Sequence, residues 1–421
     1  MSKQNLISSL LPNDLLSDLQ IKEDDLNQIE EYSDRTKDTK PESPLDCNID
    51  FFSANNSLKT VENIEKNIAP ENIINSPKNH SLIKNSKTNL SLFFQNKNSE
   101  NDFEKLLKSC SGSHYLQELA ENISEEEIDL IFKKLSPKIK QIMCDSYGNY
   151  FLQKIIEKTN SNQRINLLNN IRDDFINISK DISGSHCIQN LIEKIDCNEE
   201  EEIIKSIVEK DLFDLSISQN STHVIFKLIN NINNPKKYYI IQFCINNFIQ
   251  LCINLNGSTI IKKFISEINN YQIIKIIIKI TEQHYVQIVE NQFGNYVIQD
   301  IFQYFGFTNC KGIINNIIKD SIYFSLQKYA SNVIDKVVII LRKNDNLLFY
   351  QLYNYFFIPS NFCKLIENKF GTFVLCNIIK LLNAAEKLYI RNIIININSG
   401  NFFKKNIFIN ANLGKFLCLL N

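Results

Sequence analysis

The chain has 421 residues, 43% of them hydrophobic, and a formal net charge of −1. It holds enough apolar material for a packed core over most of its length, and its overall charge excludes a whole-molecule field as the means of holding an anionic partner. The 11 cysteines stand singly from Cys47 to Cys418, with no C-x-x-C pair and no Cys/His cluster at zinc spacing, so reduced, buried thiols are expected, with no metal and no cofactor.

Nothing near the N-terminus has the apolar core of a signal peptide, and the apolar run from Ile273 to Ile280 is broken by Lys275 and Lys279. A soluble intracellular protein is expected. Residues 1–95 are rich in Asn, Ser, Lys, Asp and Glu, and show no sustained period; a disordered, low-complexity tail is expected there. Within it Leu6, Ile7, Leu10, Leu11, Leu15, Leu16 and Leu19 form an apolar cluster around Pro12, either a partner-binding motif or a chance grouping. From residue 96 to 421 apolar residues recur at three- and four-residue spacing between short Asn/Asp/Gly/Ser connections, the pattern of many short helices.

Those helices repeat. Six of the ten glycines, Gly112, Gly148, Gly184, Gly257, Gly294 and Gly371, stand in front of one similar segment. In chain order the segments read GSHYLQ, GNYFLQ, GSHCIQ, STHVIF, GSTIIK, GNYVIQ, ASNVID and GTFVLC. Take the second residue of each as position zero. These marks are separated by 36, 36, 37, 36, 37, 36 and 41 residues, the signature of eight tandem supersecondary units.

On a helix of about 100° per residue, positions two, three, six and seven share one side, and all are apolar, as in Phe151, Leu152, Ile155 and Ile156. One unit cannot cover that side alone, so neighbours must stack. Positions zero, one and four fall on the other side. The triplets are Ser113, His114 and Gln117; Asn149, Tyr150 and Gln153; Ser185, His186 and Gln189; Thr222, His223 and Phe226; Ser258, Thr259 and Lys262; Asn295, Tyr296 and Gln299; Ser331, Asn332 and Asp335; and Thr372, Phe373 and Cys376. Stacking lines them up along one surface. The small residue before each mark suits a tight entry into the helix, or the close approach of a ligand.

Three of the five histidines occupy position one, where three further repeats have Tyr150, Tyr296 and Phe373. Flat rings repeated along a surface are what stacked nucleobases need. Positions zero and four then flank the base edge. Asn with Gln suits uracil, Ser with Gln leaves room for adenine, and Ser with a carboxylate suits the two donors of guanine. Position five is lysine in four repeats, Lys154, Lys227, Lys263 and Lys336, bordering this face; these either meet phosphates or form a solvated edge.

Over about residues 100 to 421 the chain closely resembles the Pumilio (PUF) family. NYxxQ at Asn149 and Asn295 looks like the family's uracil triplet, SHxxQ at Ser113 and Ser185 is similar to its adenine triplet, and SNxxD at Ser331 resembles its guanine triplet SNxxE. The resemblance implies an all-α fold, a right-handed crescent-shaped α-solenoid of eight three-helix repeats with terminal capping segments. It implies reading of single-stranded RNA at one base per repeat. The family's RNA runs antiparallel to the protein, giving 5′-?-G-U-?-?-A-U-A-3′. The family's usual UGU start would make the first base U. The resemblance further implies a monomer that binds elements in mRNA 3′ untranslated regions in the cytoplasm, or in the nucleus or nucleolus. It implies lowered translation or stability through a deadenylase or other repressor proteins on the convex face.

Three repeats depart from the family pattern. Phe226 replaces glutamine in repeat four, repeat five has Thr259 and Lys262, and repeat eight has Thr372 and Cys376; little base choice is expected at four and five. Asp335 is one methylene shorter than glutamate. Two rival readings are a nucleolar ribosome-biogenesis factor of the same fold and an armadillo- or HEAT-like peptide scaffold. No nucleophile–base pairing, phosphate-binding loop or metal motif marks an enzyme.

Overall fold

A computed structural model describes residues 90–94, 97–230, 234, 237–399, 416 and 419. The apolar cluster between Leu6 and Leu19, and nearly all of the expected tail, lie outside the described residues. Leu90–Phe94, within the expected tail, is a 3-10 helix with Leu90 buried. Phe93 and Phe94 pack on Phe103, with ring centroids 5.5 and 5.0 Å apart. These rings cover the exposed end of the first repeat, which has no preceding neighbour.

Among the described residues the secondary structure is helical, with no strand. The eight marked segments are helices: α1 (Cys110–Leu119), α2 (Gly148–Glu157), α3 (Ile182–Glu193), α4 (Thr222–Ile229), α5 (Leu255–Glu267), α6 (Gly294–Lys319), α7 (Ala330–Asn344) and α8 (Lys369–Lys380). Each packs against the next in chain order. A helix precedes each, as Phe175–Lys180 precedes α3, and another follows, as Asn198–Val208 follows α3, so the unit has three helices. In repeat six the second and third helices run together as α6, broken at Gly306, whose φ of 78° is accessible to glycine at little cost. The longest spacing, between repeats seven and eight, is absorbed largely by α7, which runs 15 residues where α2 runs 10.

The four apolar columns are the core. In repeats two to eight every residue at positions two, three, six and seven is buried; in the first repeat Tyr115 and Leu119 are only partly covered. Polar ties one repeat apart reinforce the stacking, such as Lys140–Asp174 at 2.5 Å and Tyr285–Asp320 at 2.6 Å. Arg164 and Glu200 form a buried pair at 2.5 Å, and the same guanidinium reaches Asp196 at 2.9 Å. The carboxylates of Asp196 and Glu200, which group with the Cys197 thiol, thus already face a cation. No helix among the described residues is long and apolar enough to cross a membrane.

Candidate nucleic-acid interface

How each triplet helix starts decides where its triplet points. Four residues before the mark stands a capping side chain. Asp145 Oδ1 accepts from Gly148 N at 2.8 Å, Asp181 Oδ1 from Gly184 N at 2.8 Å, and Asn254, Asn291 and Asn368 repeat the bond at Gly257, Gly294 and Gly371. Ser109 does the same for Gly112 at 3.2 Å. This column was legible as Ser, Asp or Asn at one register position and was missed.

The residue before the mark serves a tight entry. A Cβ on Gly294 would sit 2.5 Å from the carbonyl oxygen of Ile288, and one on Gly371 the same distance from that of Leu365. In repeat four the place is held by Ser221, whose hydroxyl donates to the equivalent carbonyl, that of Leu215, at 2.7 Å. The backbone crossing is therefore internal to the repeat, and ligand approach is not needed to explain the glycines.

The three triplet positions differ in exposure. Position one faces outward: His114, His186 and His223 are exposed, Tyr150 is 50% and Phe373 44% accessible, and Thr259, Tyr296 and Asn332 are half-buried. Position four is half-buried in all eight repeats: Gln117, Gln153, Gln189, Phe226, Lys262, Gln299, Asp335 and Cys376. Position zero is buried in all eight, from 0% at Asn295 to 8% at Thr372, which corrects the expectation that it lies on the open face. The physical reason is stacking, because this edge of each helix meets the next repeat. Ser113 Oγ donates across that seam to the Tyr147 carbonyl at 2.7 Å.

Position zero consequently orients position four. Asn149 donates to the Asp145 carbonyl at 2.7 Å and accepts from Gln153 Nε2 at 2.8 Å. Gln117 Nε2 reaches Ser113 Oγ at 3.3 Å, and Gln299 Nε2 reaches the Asn295 carbonyl at 2.9 Å. Ser185, Thr222, Ser258, Ser331 and Thr372 spend their hydroxyl protons on carbonyls of the preceding turn. Two triplet acceptors in consecutive repeats, Asn295 Oδ1 and Asp335 Oδ1, are buried with no hydrogen-bond partner. Burial holds the Asp335 carboxyl above the ordinary aspartate range, opposed by the bond from Asn377 and by Lys380 and Lys336.

The position-five lysines are mostly engaged. Lys154 pairs with Glu121 at 2.7 Å and Glu157 at 3.6 Å, Lys227 pairs with Glu193, and Lys263 with Glu267 at 2.6 Å. In repeat four the His223 and Phe226 rings pack edge to face with centroids 5.8 Å apart, so position four is apolar there. Asp300, at position five of repeat six, is drawn down by Lys262 and Lys336, but burial, the larger effect, holds its pKa above the ordinary value.

A stack of three-helix units with a buried position zero and a half-buried position four at every step, and a ring at position one in six of the eight, defines a class: the Pumilio repeat. Five segments match the Pumilio-family RNA binding repeat, at residues 105–136, 138–172, 174–208, 247–281 and 284–318. These are repeats one, two, three, five and six; the other three lie outside the matched segments yet fold as the same unit. Suppressor protein MPT5 of Saccharomyces cerevisiae is 30% identical over 123 residues, 28% of this chain and 14% of that protein. A Pumilio domain-containing protein of Schizosaccharomyces pombe is 24% identical over 272 residues, 64% of this chain and 38% of that protein. The matched stretches thus span well under half the length of these relatives.

Among solved structures, the Puf4 RNA binding domain bound to an HO endonuclease RNA 3′ UTR recognition sequence superposes with TM-score 0.63 at 21% identity, covering 74% of this chain and 97% of that one. The RNA-binding domain of yeast Puf5p bound to MFA2 RNA gives 0.60 at 22%, covering 75% and 96%. The chain is a Pumilio-family repeat protein.

Proposed function

We propose that the protein binds single-stranded RNA along the triplet face, one base per repeat, with specific ends around a permissive centre. The observation that carries this is the position-one column, whose rings stand beside oriented polar groups at position four in repeats one, two and six. A stacking ring is worth about 1–3 kcal/mol per base whatever the base, so it holds the strand while the edge groups discriminate. The preferred sequence is a UGU-nn-AUA-like element. Relatives of this fold bound to 3′ UTR sequences support mRNA as the target. From family membership we further propose control of mRNA translation or stability in the cytoplasm, by a monomer that recruits a deadenylase or repressor on the face away from the triplets.

The experiment is selection from random RNA by the purified full chain. Enrichment of UGU followed two bases later by AUA is expected. No enrichment, together with capture of peptides, would favour a scaffold; tight RNA binding without enrichment would favour a ribosome-biogenesis role.

A further inference from the structure

On the face proposed to bind RNA, the position-five lysines are largely neutralised, because Lys154, Lys227 and Lys263 each pair with a glutamate. Two other cations stand out. Lys328 and Lys369 occupy the same register in repeats seven and eight, three residues before the mark. Lys369 opens α8, where at about 100° per residue it lies within about 60° of position zero and 40° of position one, while Lys328 lies in the turn just before α7. Both lysines are exposed. Each ammonium lies over the ring that follows it in sequence: Lys328 Nζ is 4.9 Å from the Tyr329 centroid and Lys369 Nζ 4.8 Å from that of Phe370.

A ring face attracts a cation without cancelling its charge, so each ammonium is held in place and remains able to meet an anion. The equivalent places in repeats one to six are Cys110, Ser146, Ile182, Gln219, Leu255 and Gln292, none of them cationic. Eight residues after the mark stand Glu121, Glu157 and Glu193 in repeats one to three, which pair with Lys154 and Lys227, and the exposed Lys380 in repeat eight. The N-terminal end of the face is therefore charge-compensated, and the C-terminal end is basic.

We infer that Lys328 and Lys369 grip the phosphodiester backbone at the C-terminal end of the array, where an antiparallel strand places its 5′ end. Electrostatic affinity is then concentrated on the 5′ nucleotides, while the 3′ nucleotides are held by stacking and base edges. This rests on the RNA-binding reading above.

The test is the salt dependence of binding to a UGU-nn-AUA RNA, measured by fluorescence anisotropy on the full chain and on K328Q, K369Q and the double variant. Each phosphate contact contributes about 0.7 to the slope of log K against log[salt] for a single strand, so the double variant should lose about 1.4. Base preference at every repeat should be unchanged. K133Q, an exposed lysine on the third helix of repeat one, should behave as the parent protein. Lengthening the RNA by two nucleotides should strengthen binding more at the 5′ end than at the 3′ end, and that difference should vanish in the double variant. An unchanged slope in the double variant, or equal gains at both RNA ends, overturns the inference and leaves the RNA-binding reading standing. Failure of the parent protein to bind any RNA overturns that reading instead.

Discussion

Asp335→Asn probes the one triplet where structure and chemistry make a quantitative demand. The side chain is half-buried between repeats seven and eight, one oxygen is unpartnered, and Asn377 donates to the carboxylate. A guanine at this step brings N1–H and its N2 amine. One charge-assisted bond to Oδ1 is worth about 1.5–3 kcal/mol, or roughly 10- to 150-fold in Kd at about 1.4 kcal/mol per factor of ten. Anisotropy titrations of four RNAs differing only in the second base should show that loss for guanine and little change for the others. Equal loss for all four, or none for guanine, would refute the assignment.

The same burial sets the pH dependence. The raised pKa of Asp335 means its proton returns, on acidification, before that of a surface aspartate. The acid form brings an O–H against guanine's donors, so on acidification guanine preference should fade at a higher pH than a surface aspartate would give. For folding the sign is the opposite. A carboxyl with a raised folded pKa favours the fold below its unfolded value and loses that contribution as pH rises through the folded value. Asp335→Asn should therefore melt higher than the parent protein at neutral pH, and the gap should close in acid.

Tyr150→Ala should weaken RNA binding by about 1–3 kcal/mol with base preference unchanged, measured against the same four-base panel at its step; a changed preference would mean that the ring reads edges. Gly294→Ala should lower the melting temperature, by about 1–3 kcal/mol of overpacking, because its Cβ would strike the Ile288 carbonyl; an unchanged melting point would refute the close crossing. Burial pushes the Cys310 thiol up to about 12 and raises Cys187, Cys244 and Cys252 as well, whereas Cys110 is exposed. Alkylation followed by peptide mapping should label Cys110 before those four, which should stay unlabelled until the fold is opened. Deletion of residues 1–89 should leave RNA affinity within about twofold, well below the roughly tenfold change that 1.4 kcal/mol represents; a larger loss would place part of the interface in that segment.

The repeat was legible because stacking imposes the same requirement eight times. Phe151, Leu152, Ile155 and Ile156 occupy columns that recur at a fixed spacing, and each column is buried as periodicity demands. The exposure of position one was legible for the same reason. Position zero was misplaced because a helical wheel describes one helix. Ser113 and Asn149 lie on the polar side of their own helices, and only the neighbouring repeat encloses them. The position-five lysines, open on sequence alone between phosphate contact and a solvated edge, follow the same logic. Lys154 and Lys227 find their partners, Glu121 and Glu193, in the preceding repeat, so their neutralisation belongs to packing between units and has no signal within one. The glycines were half-read: their spacing was plain, but the carbonyl they must clear lies in the helix before, as Ile288 does for Gly294.

These errors share a direction that bears on recognition. What a single repeat shows is its ring and its polar group; what the array adds is burial and charge compensation at the seams. Those seams fix the acceptors. Asn295 Oδ1 and Asp335 Oδ1 are enclosed by neighbouring repeats with no partner of their own, a state that costs about 1–3 kcal/mol each unless a donor arrives. Both lie at consecutive steps toward the C-terminal end, next to the lysines that stand over Tyr329 and Phe370. Unmet acceptors and uncancelled cations therefore coincide where the 5′ part of an antiparallel strand would lie. In the N-terminal repeats Asn149 and Gln153 satisfy each other, and the rim carries glutamates. On this distribution the 5′ bases should dominate selection and the 3′ bases should add affinity chiefly by stacking. Substituting the second and third bases should then cost more than substituting the last two, and the reverse order would show that the seams do not set the specificity.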